Sequence, residues 1–239
     1  MGMSVVGQEI RTYIFECFMK IAVYTTLFGD YDELKPIPAK YQHEADWILF
    51  TDHITVAPGY RIIPIALGPV TARKASRLYK IRPDLILGKY DYTIYLDASI
   101  IINRSPRLLV EKYLYDSDIA VLKHPDRDCI YEEMRTCLKI GIADPDLTDK
   151  QAKYYRATGY PEHNGLTENG VLIRRNTEAV RNFSSSWWSL YSKYAERDQF
   201  SFMFIVWQTG IKITVIPNNI RDNSPEAVRE FIFKDHKGR

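Results

Sequence analysis

The sequence predicts an α/β fold: a mostly parallel central sheet flanked by helices. Three observations predict it. Short runs rich in Val, Ile, Tyr and Thr alternate with helical patterns along the chain, the arrangement that builds parallel sheets through helical crossovers. The run Tyr90–Ile100, YDYTIYLDASI, starts polar, becomes β-branched and aromatic, and delivers Asp97 just past its apolar core. That is how an open sheet presents an acid at a strand's carboxyl end, where such sheets bind ligands. No internal repeat, low-complexity stretch or Pro/Gly/Ser linker interrupts the alternation, so the 239 residues read as one domain.

The expected strands, in order, are Lys20–Thr26, Asp46–Thr51, Tyr60–Ile65, Tyr92–Leu96, Ile119–Leu122, Gly170–Arg174 and Ile211–Ile216. The helices lie between them. Arg73, Arg77 and Lys80 stand at i, i+4 and i+7 before the YLDAS strand and share one helical face. Ser105 followed by Pro106 is an N-cap with proline at the first helical position, opening a helix to about Tyr115. A helix from Cys129 to Ile140 stops at Gly141. Thr148 with Gln151 has capping-box spacing, and Gly159 closes that helix. Further helices span Thr177 to Tyr194 and Asp198 to Thr209, the last ending at Gly210. Met19 followed by KIAVYTT has the look of a chain start, which makes residues 1–18 an expected extension outside a domain of residues 19–239.

Composition bounds the partners. Lys and Arg number 32 against 30 Asp and Glu, a net charge of only +2, so nucleic acid is not the expected partner, because neutralising phosphates takes a concentrated basic surface. Cys17, Cys129 and Cys137 form no paired or ligand-spaced pattern, which fits a reducing compartment and a cytoplasmic location. No apolar run approaches the roughly 18 residues of a membrane helix. The N-terminus, broken by Gln8, Glu9, Arg11 and Glu16, lacks a signal-peptide layout. G-x-G-x-x-G, P-loop, H-E-x-x-H and G-x-S-x-G motifs are all missing, which weighs against dehydrogenase, P-loop, zinc-protease and α/β-hydrolase chemistry.

Several polar groups fall at expected strand ends. Thr25 and Thr26 close the first strand ahead of Leu27-Phe28-Gly29-Asp30-Tyr31-Asp32, a stretch of hydroxyls, a glycine and an aromatic that would hold a nucleobase or is simply a polar turn. Asp52 follows the second strand. Asp97 and Ser99 follow the fourth; the alternative is that Asp97 only caps its turn. The Arg73–Arg77–Lys80 face would clamp a diphosphate, since guanidinium forks match phosphate oxygens, or would simply be solvated. Gly159 to Leu172 is polar and glycine-rich. It offers Asn164, Gly165 and Glu168 to a polyhydroxylated ligand. Asp198 and Gln199 open an apolar helix, as a cap or as contacts for sugar hydroxyls.

The stretches IAVYTTLFGDYD, ADWILFTD, YDYTIYLDASI, KHPDRDCIYEE, GYPEHNGLTENGVLIRRN and RDQFSF, in this order, resemble a glycosyltransferase family long known as a domain of unknown function. That family includes bacterial cell-surface-sugar enzymes and plant Golgi proteins of cell-wall polysaccharide. The layout is more remotely similar to the glycogenin and bacterial galactosyltransferase family. The resemblance implies a single GT-A, Rossmann-like domain. It implies transfer of a sugar from a nucleotide-sugar donor, UDP-linked, to a hydroxyl of a glycan or cell-surface polysaccharide. By the same resemblance, Asp97, Asp198 and Gln199 would serve catalysis. Thr25, Thr26, Asp52, Arg73, Arg77, Lys80 and Ser99 would bind the nucleotide, and Asn164, Gly165 and Glu168 the sugar. A Mn2+ or Mg2+ ion would sit on Asp97 and His236, with Lys237 near the diphosphate. Two departures stand out: Ser99 replaces the second Asp of the family's D-x-D, and Glu168 stands where Asn is usual. The rival expectation, favoured by Ser99, is a non-catalytic nucleotide-sugar or carbohydrate-binding protein on a decayed transferase fold. A nucleotidyltransferase would show a basic, glycine-rich loop after strand one, which TTLFGDYD lacks.

Overall fold

The computed structural model describes residues 19–29, 32–53, 56–217, 220–221 and 225–235. The expected extension, residues 1–18, and the expected metal ligand His236 with its neighbour Lys237 lie outside the described residues. Nine strands are described: β1 (Ile21–Leu27), β2 (Asp46–Thr51), β3 (Arg61–Pro64), β4 (Tyr92–Leu96), β5 (Ile100–Ile102), β6 (Ile119–Lys123), β7 (Thr167–Arg175), β8 (Ile213–Ile216) and β9 (Phe231–Phe233). The helices are α1 (Ala72–Ile81), α2 (Asp84–Leu87), α3 (Pro106–Tyr113), α4 (Ile130–Lys139), α5 (Pro145–Ala157), α6 (Glu178–Lys193) and α7 (Gln199–Thr209).

Seven strands form the central sheet in the order β3-β2-β1-β4-β7-β6-β8. Every neighbouring pair is parallel except those of β7, which runs antiparallel to both β4 and β6. The α/β class with a mostly parallel sheet is therefore as expected. The chain winds outward from β1 to β3, then returns through α1 to lay β4 on the other side of β1. That reversal opens a crevice at the carboxyl ends of β1 and β4, the place where such sheets bind ligands.

Strand alternation divides the core between the two faces. Ala22, Tyr24, Tyr95 and Leu172 point into one cluster, with Ile81 of α1, Trp187 of α6 and Phe200 of α7. Val23, Leu96, Val171 and Ile173 point into the other, under Leu109 and Val110 of α3. The first face carries most of the helices.

Helix starts follow local chemistry. Ser105 accepts from the Leu108 amide at 3.3 Å with Pro106 at the first position, and Thr177 accepts from Val180. Gly210 ends α7 in the left-handed conformation, φ 65°. One start differs from expectation. Helix α5 begins at Pro145, capped by Asp144, whose carboxylate accepts from the Leu147 amide at 2.8 Å. Thr148 and Gln151 are buried within it. An Asp-Pro pair combines the strongest cap with the pre-set first position, and it displaces the Thr-x-x-Gln spacing.

Two strands were not expected. β5 and β9 pair antiparallel as a separate two-stranded sheet, Ile100 opposite Phe233 and Ile102 opposite Phe231. The C-terminal segment thereby returns to the Asp97 turn, and the Lys234 amide donates to the Ser99 carbonyl at 2.8 Å. β7 also starts three residues earlier than expected, so Thr167–Asn169 belong to the sheet and not to the polar loop.

Candidate functional site

A cavity of about 710 Å³ opens at the crevice between β1, β4 and α1. Its wall includes Thr26 and Leu27 of β1 with Phe28 and Gly29 after it, Arg73 and Arg77 of α1, Tyr95 of β4 and Asp97 just beyond it, and Arg197 before α7. Asp97 reaches it because β4 ends at Leu96 and the chain turns at once. The Asp97 amide donates to the Gly170 carbonyl, and the Ile100 amide donates back to the Asp97 carbonyl, both at 2.8 Å. Small Ala98 and Ser99 fit inside that turn, both buried.

The Asp97 carboxylate is held from behind. Tyr95, two residues earlier and so on the same face, donates its hydroxyl to Oδ1 at 2.6 Å. Thr26 Oγ1 links to the Tyr95 hydroxyl at 3.2 Å and to Ser76 Oγ at 2.9 Å. Burial, with Asp97 adding to it, pushes the Tyr95 phenol well above its usual range. It therefore remains a hydrogen-bond donor to the carboxylate at every physiological pH. The Lys80 ammonium stands 3.5 Å from the same Oδ1.

The basic stripe of α1 occupies one face, as its spacing requires, but at three depths. Arg73 is exposed and donates to the Glu196 carbonyl at 3.0 Å. Arg77 is half-buried, with Nε 3.7 Å from Asp198 Oδ1. Lys80 is buried, and its ammonium lies 2.7 Å from Asp198 Oδ2. Lys80 is also fixed through its backbone. Its carbonyl accepts from the Tyr24 hydroxyl at 3.0 Å and from buried Arg174 at 2.9 Å, and Arg174 also binds the Ile81 carbonyl at 3.3 Å. A cation on the last carbonyls of a helix complements its dipole.

Asp198 precedes α7 but makes no side-chain cap. It is buried, and burial alone would raise its pKa. Lys80 first, then Arg77, outweigh that and hold it well below the usual carboxylate range. The same pairing works on Arg77: burial would lower its pKa, but Asp198, with Tyr95 and Asp97, raises it. Asp198 thus lies behind the cavity wall as the counter-charge of two cations. Gln199 accepts from Arg197 Nη2 at 3.0 Å through Oε1 and steadies that arginine.

The other expected site residues are dispersed. Thr25 and Thr26 face opposite sides of β1, because successive strand residues alternate. Only Thr26 lines the cavity, whereas Thr25 borders a small cleft with Lys35 and Tyr60. Phe28 also lines the cavity, buried, with its ring stacked on Tyr79 at 6.2 Å. Asp52 accepts from the Gly29 amide at 3.0 Å and pairs with His53 at 3.2 Å, tying down the β1 loop. Ser99 is buried in its turn. Glu168 pairs with Arg221 at 2.6 Å. Gly165, next to Asn164, takes φ 83°. None of Asn164, Gly165 and Glu168 lines the cavity.

These side chains can be tested against a divalent cation. Such an ion needs several uncommitted hard oxygens. Asp97 Oδ1 already receives a phenol and faces an ammonium, Ser99 offers no carboxylate, and Asp198 is committed to Lys80 and Arg77. Among the described residues, the side chains around Asp97 Oδ1 suit an ammonium better than a metal ion. The one cluster of metal-holding geometry among the described residues is Asp128, Glu132 and His163, and none of these three lines the cavity.

Two contributors had no sequence expectation: Tyr95 and Arg197. The signal for Tyr95 was its i, i+2 relation to Asp97. Gly170 lies across from Asp97, and a Cβ there would stand 3.2 Å from Asp97 Oδ2 and 2.9 Å from Ile100 Cδ1. The Ile100 methyl can swing aside, but the carboxylate is pinned by Tyr95. Gly170→Ala is therefore expected to displace Asp97, weakening ligand binding in the cavity by about tenfold while costing about 1–3 kcal/mol of stability. Calorimetric titration and urea unfolding of the same variant check both numbers.

Comparison with known proteins bears on what this cavity serves. No curated protein shows significant similarity to the chain. Among solved structures it is similar to one described as "WbbM bifunctional glycosytransferase apo structure", at 11% identity and a TM-score of 0.47, over 83% of this chain and 38% of that one. Among the described residues, no helix is long and apolar enough to cross a membrane. The model of a family described as the TOD1/MUCI70, glycosyltransferase-like domain matches residues 59–230, from just before β3 to just before β9. That span holds α1 with its basic stripe, the Asp97 turn, Gly170 and the Arg197–Gln199 segment, so the chain belongs to the TOD1/MUCI70 glycosyltransferase-like family.

Proposed function

We propose that this chain is a glycosyltransferase that moves a sugar from a nucleotide diphosphate donor, UDP-linked, to a hydroxyl of a glycan acceptor. One observation carries the reading: a single cavity at the sheet's switch point sets the strand-end carboxylate of Asp97 against the guanidinium groups of Arg73, Arg77 and Arg197. Leaving of a nucleoside diphosphate places charge on phosphate oxygens, and fixed cations lower that barrier without reorganising. Guanidinium groups suit this, being always charged and geometrically matched to phosphate. The Leu27–Gly29 backbone and Thr26 would meet the nucleoside. Asp97, held by Tyr95, would accept hydrogen bonds from donor hydroxyls. A bound donor closing the cavity would exclude bulk water, so the sugar's electrophilic carbon meets the acceptor hydroxyl in preference to water.

The test uses the full chain and a panel of UDP-, GDP- and CMP-sugars, following free nucleotide without added acceptor. Slow release from UDP-sugars is the expected result. Donor that binds and raises the melting temperature by mass action without turnover under any condition, acceptor glycans included, would favour the non-catalytic module that Ser99 suggests. Failure of every nucleotide sugar to bind would contradict both.

A further inference from the structure

We propose that Lys80 is the built-in cation of this site: its ammonium bridges Asp97 and Asp198 in place of a divalent ion, and donor binding needs no added metal. The inference rests on the nucleotide-sugar reading above and deepens it.

The geometry is that of a bridge. Lys80 Nζ lies 3.5 Å from Asp97 Oδ1 and 2.7 Å from Asp198 Oδ2, and 5.0 Å from the centre of the Tyr95 ring. Its side chain is 3% exposed, whereas that of Asp97 is 37% exposed and faces the cavity. The lysine is anchored at both ends, through its carbonyl by Tyr24 and Arg174 and through its ammonium by the two carboxylates. It stays in place when a ligand enters. A lysine meant to grip phosphate directly would reach the cavity wall, as Arg73 and Arg77 do and Lys80 does not.

The consequence is electrostatic. A dication on Asp97 would stand close to a fixed ammonium in a partly buried site, where like charges repel strongly. With Ser99 in place of a second carboxylate, nothing at that turn offsets the repulsion. The donor diphosphate is left to the three arginines. Arg197 is suited to it: Nη2 is steadied by Gln199, while Nε is buried with no hydrogen-bond partner among the described residues. A phosphate oxygen entering the cavity would satisfy such a donor.

Calorimetric titration of UDP into the full chain tests this, in EDTA and again in excess Mn2+. The expected dissociation constants agree within about twofold, well under the roughly tenfold or larger change that a lost charge-assisted contact makes. Affinity that rises tenfold with Mn2+ and vanishes in EDTA overturns the proposal. Absence of UDP binding in both conditions overturns the nucleotide-sugar reading and the proposal with it. Lys80→Ala supplies a second arm. Removing the ammonium leaves Asp97 without a facing cation, open to a metal, so UDP affinity in EDTA is expected to fall about tenfold and to recover with Mn2+. A folded Lys80→Ala protein that binds UDP as the wild type does, with or without metal, overturns the role of Lys80. If that variant does not fold, the wild-type comparison alone decides.

Discussion

Replacing Asp198 with alanine lowers the unfolding free energy by about 3–5 kcal/mol, the usual cost of breaking a buried ion pair by removing one partner. The carboxylate lies between the Lys80 ammonium at 2.7 Å and Arg77 Nε at 3.7 Å, and its side chain is 9% exposed. Without it, Lys80 keeps the more distant Asp97 carboxylate, and Arg77 loses its nearest counter-charge. The same pairing predicts an acid limb. Because Lys80 and Arg77 depress the folded-state pKa of Asp198 despite its burial, the unfolded chain binds the proton more readily. The ion pair's contribution is complete above the unfolded value of about 3.9 and is lost as pH falls from there through the lower folded value. Urea unfolding from pH 7 down through pH 3 should show that slope in the wild type and a flatter one in Asp198→Asn. A loss below about 1 kcal/mol in Asp198→Ala, the worth of an exposed pair, would mean that water reaches the cluster.

Asp97→Asn is expected to lower donor turnover about a hundredfold or more, the scale of losing a principal electrostatic group in an active site. The substitution keeps shape and most hydrogen bonding. Asn Oδ1 still accepts from Tyr95, and Lys80 keeps Asp198 at 2.7 Å, so the fold should survive. What disappears is the negative charge at the cavity wall. Nucleotide release from the preferred UDP-sugar, compared at saturating donor, measures the effect, with circular dichroism confirming the fold. Near-wild-type turnover in a folded variant would remove Asp97 from the chemistry.

Much of the sheet was legible in the sequence because its strands carry their own signals. Tyr92–Leu96 and Asp46–Thr51 are β-branched and aromatic runs that end in acids, and both stand as expected. The placement of Asp97 at a cavity followed from the strand-end rule. The stripe Arg73, Arg77 and Lys80 was legible as a face, because helical period is local. Its depth was not. Whether Lys80 grips a ligand or lies beneath it depends on Asp198, which arrives from another helix. The pairing of Ile100–Ile102 with Phe231–Phe233 was hidden for a related reason: three-residue strands carry almost no periodicity, and the partner lies far along the chain. Thr25 and Thr26 show a different limit. Both are hydroxyls at a strand's end, yet the pleat sends only Thr26 to the cavity.

A crystal structure of the chain grown with UDP tests the central claim most directly. The nucleotide should lie in the cavity between the Leu27–Gly29 segment and α1, with diphosphate oxygens in hydrogen-bond contact with Arg77 and at least one of Arg73 and Arg197. Lys80 should still bridge Asp97 and Asp198. Nucleotide bound elsewhere on the protein, or a diphosphate turned away from all three arginines, would contradict it.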